Sequence, residues 1–150
     1  MTFPAKQRTN PWLKRGCLIS IGVISTLIGT VFLLDEFMPS TARRSLPESA
    51  TDVQEHYSDS WNGDYVRCIK ARLPEIDLPL YAKKLGLSER FDPAAHHDIA
   101  NLIDISFDGP DWWTPPPATQ TTYFGYERGD DFLQVLKYSS GYVYFVSTSW

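Results

Sequence analysis

The sequence predicts an α+β protein: an N-terminal transmembrane helix followed by a small two-layer domain of about five antiparallel strands, with one or two helices on a face. Three observations predict it. Cys17 to Leu34 is an apolar run of 18 residues without an ionisable acid or base. At about 1.5 Å per residue, such a helix spans roughly 27 Å, near the thickness of a bilayer's hydrocarbon core. Asp77 to Gly86 carries helix punctuation around a one-sided apolar pattern. The last third is rich in aromatic and β-branched residues, divided by short Gly-containing turns as hairpins require.

The basic tail 1–16 holds Lys6, Arg8, Lys14 and Arg15 and no acid. Bases beside a span are retained in the cytoplasm, so the acidic remainder is expected outside. Trp12 suits the headgroup zone just before the span. The reading is a single-pass signal anchor over 17–34 in a bacterial inner membrane, with the N-terminus cytoplasmic and the C-terminal domain periplasmic or extracellular. A cleaved signal peptide, cut near Ser40-Thr41-Ala42, is the rival. Its apolar region would exceed the usual length of about 7–15 residues. Gly22, Ser25 or Thr26, and Gly29 recur on one side of the span, a pattern that suits a homodimer through the transmembrane helix.

Residues 35–50, with Pro39, Pro47, Arg43 and Arg44, lack hydrophobic periodicity and read as a tether. The translocated domain is expected over 51–150. Strands are predicted near 51–57 and 64–73, with Asp59, Asn62 and Gly63 between them. In the second, Tyr65, Ile69, Ala71 and Leu73 share one side, interrupted by Arg67. Val66, Cys68, Lys70 and Arg72 share the other. A short helix follows, with Asp77 as cap, Pro79 in its first turn and Gly86 at its end. Leu78, Tyr81, Ala82 and Leu85 line its inner side. A second helix is predicted from Pro93 to Asp104, capped by Asp92; the IANLIDISF stretch is equally readable as turning into a strand. TTYFGYE, DFLQVLKY and YVYFVSTS complete the sheet, turning at Gly129-Asp130 and Ser139-Ser140-Gly141. The last of these is apolar on both sides, as an interior strand is.

Residues 35–150 set ten bases against 18 acids, a balance of −8. That favours solubility and argues against nucleic acid, which wants a basic stripe. Cys68 is the one cysteine after the span, so no disulfide forms within the domain and its core must suffice. Two segments, Leu46-Pro47-Glu48-Ser49-Ala50-Thr51-Asp52-Val53 and Trp112-Trp113-Thr114-Pro115, resemble those of uncharacterised bacterial proteins. These join an anchor or lipoprotein signal to one small translocated domain. The resemblance implies an envelope address and carries over no activity.

The strongest local anomaly is Asp111-Trp112-Trp113-Thr114-Pro115-Pro116-Pro117. Neighbouring side chains of an extended segment face opposite ways, so one indole is expected in the core and the other nearer the surface. A partly exposed indole stacks on a sugar, a proline or an arginine, and three prolines hold it at low entropic cost. Trp112 and Trp113 are therefore the candidate binding residues, with an envelope protein or glycan as partner. Both rings sealing a small core is the competing account.

Catalysis is not expected. His96 and His97 point about 100° apart on a helix and lack zinc-site spacing, so neither a metal nor another cofactor is expected. Asp104, Asp108 and Asp111 only half supply a calcium-loop pattern. No G-x-S-x-G motif is present, and Cys68 lies within a strand. The function so predicted is a membrane-anchored interaction or binding module. A structural accessory subunit of an envelope complex is the alternative, and an envelope hydrolase or metal enzyme is a distant third.

Overall fold

A computed structural model describes residues 39–60, 63–104, 109–127 and 132–150, together with Thr26. Contacts divide the chain into two compact units, residues 1–39 and the sheet domain 40–150. Its strands are β1 (Thr51–Asp59), β2 (Tyr65–Arg72), β3 (Glu89–Arg90), β4 (Tyr123–Glu127), β5 (Phe132–Ser139) and β6 (Tyr142–Ser149). They form one antiparallel sheet in the order β1-β2-β6-β5-β4-β3. Three short helices accompany it: α1 (Thr41–Arg44), α2 (Leu78–Lys84) and α3 (Ala100–Ile103).

This corrects the expected α+β class. The domain is a six-stranded antiparallel sheet with few helices, and most of its regular structure is strand. The sixth strand, β3, is two residues long, too short to show periodicity; it pairs Glu89 with Phe124 and Arg90 with Tyr123. The helix expected over 93–104 shrinks to the four residues of α3. Asp92 still caps the start of that segment: its Oδ1 accepts the Ala94 N–H at 2.9 Å, its carbonyl accepts the His96 N–H at 2.8 Å, and its own N–H donates to His96 Nδ1 at 2.9 Å. The transmembrane helix expected over 17–34 lies outside the described residues, apart from Thr26. Among the described residues no helix is long and apolar enough to cross a membrane, which leaves β-barrels unaddressed.

Sheet register sorts the side chains onto two faces. Ile69, Phe145 and Leu136 lie across from one another on β2, β6 and β5, and Cys68, Val146 and Val135 do so on the opposite face. The first face is covered by α1 and α2 through Ala42, Leu78, Tyr81 and Ala82, with Leu87 just after α2. The second is covered by the chain after β3, through Phe91, Ile99, Ile103 and Trp113. β6 has six consecutive buried residues because it is interior and covered on both sides.

Local rules account for the elements that survive. Gly86 at φ +77° ends α2: its N–H donates to Lys83 O, and Leu87 N–H donates to Ala82 O, a Schellman closure. Ser140 and Gly141, at φ +51° and +83°, form the two-residue turn whose twist matches a hairpin. Part of the segment expected as a tether is folded instead. Ser40 Oγ caps α1 by accepting the Arg43 N–H at 3.0 Å, Ala42 joins the core, and its carbonyl accepts the buried Tyr81 hydroxyl at 3.2 Å. Asp77, expected to cap α2, makes no cap bond and accepts the Ser49 hydroxyl at 2.6 Å.

Candidate functional site

The tryptophan segment lies over the second face of the sheet. Trp113 packs beside the apolar cluster there and meets Tyr144 at 5.8 Å between ring centroids, tilted by 62°. Trp112 is half-buried and stands edge-on to Trp113, 6.0 Å away at 89°. A backbone bond from Trp113 N–H to Pro110 O at 2.8 Å fixes the turn that separates the two indoles.

Beneath them runs a row set by strand register. Gln54 of β1 pairs with Lys70 of β2, Lys70 with Tyr144 of β6, and Tyr144 with Lys137 of β5. Lys70 Nζ donates to the Trp112 carbonyl at 3.2 Å and lies 5.3 Å and 5.4 Å from the ring centroids of Tyr142 and Tyr144. Those distances are within cation–π range. Lys70, Tyr142, Trp112 and Trp113 are all partly exposed. The neighbouring Arg72, paired with Tyr142, is exposed.

The two lysines that flank Tyr144 are treated differently. Lys137 is buried, and its ammonium is paired with the Asp104 carboxylate, which also accepts the Ala118 N–H at 2.9 Å. Lys70 has no carboxylate at ion-pair distance among the described residues. The strands reinforce that asymmetry. β2, β5 and β6 contain Arg67, Lys70, Arg72 and Lys137 and no acid at all, within a region whose balance is −8. Arg67 faces the other way, where it pairs with Glu55 at 3.1 Å and covers the Tyr57 ring at 4.6 Å. The Lys70 face is therefore a positive, aromatic surface on an acidic domain.

The remaining candidates are scattered. His96 Nε2 lies 3.2 Å from Glu89 Oε1 and the ring packs edge-on to Phe124 at 5.0 Å, while His97 is exposed. With Nδ1 accepting from the Asp92 N–H and Nε2 beside the Glu89 carboxylate, both nitrogens of His96 face groups of the domain itself. Asp104 serves Lys137, Asp111 is exposed, and Asp108 lies outside the described residues. Among the described residues no group of three or more His, Cys, Asp or Glu is placed to hold a metal. Cys68 is fully buried, and that burial pushes its thiol up to about 12, so it is protonated and unreactive at neutral pH.

Sequence reasoning singled out Trp112 and Trp113 but not Lys70, Tyr142 or Tyr144. The available signal was two tyrosines, two positions apart and so on one side of a strand. Their meeting with Lys70 depends on the pairing of β2 with β6, and Trp112 is 42 residues from Lys70. Comparison of the chain with family models, curated proteins and solved structures found no match to any of them.

Proposed function

We propose that this protein is a membrane-tethered extracytoplasmic binding module, which presents the Trp112–Lys70–Tyr142 surface to a component of the bacterial envelope. The observation that carries the reading is Lys70, partly exposed, ringed by aromatic groups and without a carboxylate partner among the described residues. An ammonium so placed keeps donors for an incoming group, and the rings beside it offer apolar contact at little entropic cost. The address rests on the basic tail, the apolar run 17–34 and the acidic remainder. Binding is favoured over catalysis because, among the described residues, no acid–base pair or activated nucleophile accompanies Lys70.

A second reading has one observation in its favour. β1 is nine residues long and, among the described residues, has a partner strand on one side only, so its other edge offers backbone groups to an accessory-subunit interface.

Hydroxyl-radical footprinting distinguishes the two. The full chain is labelled in its native membranes and again after purification in mild detergent. Protection of Trp112 and Tyr142 in membranes, lost on purification, is the expected result. Equal labelling of both residues in the two states, with protection confined to β1, would overturn the module in favour of the edge-docking subunit.

A further inference from the structure

We infer that the ligand of this surface is an acidic sugar, a pyranose ring carrying a carboxylate; the inference rests on the binding-module reading and names what the module takes. The charge follows from the contrast between the two lysines of one cross-strand row. Lys137 is neutralised by Asp104 and sealed under the covering segment. Lys70 is held in place by the Trp112 carbonyl and the Tyr142 and Tyr144 rings, none of which carries a negative charge. Its ammonium has three donors and spends one on that carbonyl, so two remain for the oxygens of a carboxylate. Arg72, exposed beside Tyr142, adds a second positive charge on the same face, and β2, β5 and β6 supply no acid to oppose it. The nearby acid in the covering segment, Asp111, is exposed and makes no ion pair with Lys70 among the described residues.

The ring follows from where the surface lies. It is on the face of the sheet, where the backbones of β1, β2, β6 and β5 already bond to one another. A peptide that binds by adding a strand needs free backbone groups at a sheet edge, and this face offers none. What it offers is side chains: indole and phenol rings with Gln54 and Arg72 around a fixed cation. A sugar suits that chemistry, since its C–H face packs on aromatic rings while its hydroxyls and carboxylate meet polar groups at the rim.

The test titrates the full chain, in mild detergent, with trigalacturonate, neutral maltotriose and hexaglutamate, read by tryptophan emission against the Trp112→Phe variant. Trigalacturonate is expected to perturb the Trp112 signal with an affinity that falls as salt is added. Lys70→Gln is expected to weaken it at least tenfold. Lys70→Arg should retain most of it, and Lys83→Gln, an exposed lysine on α2, should leave it unchanged. Circular dichroism of each variant reports that the sheet is intact. Equal binding of maltotriose, with Lys70→Gln silent, would overturn the acidic sugar and leave the binding module standing. Binding of hexaglutamate alone would overturn the sugar in favour of an acidic protein partner. No response of Trp112 to any of the three would overturn the inference, while the footprint in native membranes decides the module separately.

Discussion

At the scale of single residues, charge and burial decide which groups stay available. Lys70 and Lys137 occupy equivalent places beside Tyr144, yet the covering segment brings Asp104 to only one of them. Cys68 shows the same control by burial. In the unfolded chain its thiol ionises near pH 9, whereas in the folded protein desolvation pushes it up to about 12, with the nearby Glu55 charge adding to the shift and a backbone bond from His56 opposing it. Below pH 9 both states hold the proton, and the thiol's contribution is fully present. Between about pH 9 and 12 the unfolded chain releases a proton that the native state keeps, so stability falls as pH rises. Urea unfolding at pH 8 and pH 10.5 should therefore show a loss of stability that is smaller in Cys68→Ala. Some loss will remain in the variant, because burial also raises the Tyr81 hydroxyl. Parallel pH curves for the two proteins would refute the assignment.

Elements were legible where one local rule was enough. α2 is read from Pro79, Gly86 and a one-sided apolar pattern, and the β5–β6 hairpin from Ser140-Gly141, since both depend on neighbours in sequence. What was not legible depends on contacts across the chain. β3 exists because Glu89 and Arg90 lie beside Tyr123 and Phe124, and no two-residue strand carries a period of its own. The indoles were conspicuous as a composition, while the lysine and tyrosines they cover became a site only through strand register. α1 is the clearest case. Its Pro- and Arg-rich surroundings read as a tether, but the Tyr81 hydroxyl reaches its Ala42 carbonyl from across the core. Tyr81→Phe leaves that carbonyl without its donor and should cost about 1–2 kcal/mol in urea unfolding. It should also speed amide exchange over Thr41–Arg44, where a purely solvated tether would already exchange at the unprotected rate.

For the domain as a whole, one sheet separates two apolar layers, and no disulfide ties them. Cys68 is a free thiol, so cohesion must come from burial on both faces of β2, β5 and β6. Each layer alone is small: α1 and α2 close one side, and Phe91, Ile99, Ile103 and Trp113 close the other. The strands between them are shared, which makes the layers mutually dependent, since loss of either leaves a sheet face open to water. β5 allows that dependence to be tested within one element. Leu136 packs into the first layer and Leu133 into the second, and both are fully buried. Leu136→Ala and Leu133→Ala should each cost about 2–5 kcal/mol through lost transfer energy and the cavity left behind. If the layers are coupled through the sheet, each variant will lower the midpoint of a single transition, seen at the same urea concentration by far-ultraviolet circular dichroism and by tryptophan emission. The emission reports on the second layer through Trp113, so it should follow even the Leu136 substitution on the opposite face. Were Leu136→Ala to shift the dichroism and leave the emission midpoint where it was, the layers would be separate units. The binding surface would then rest on only one of them.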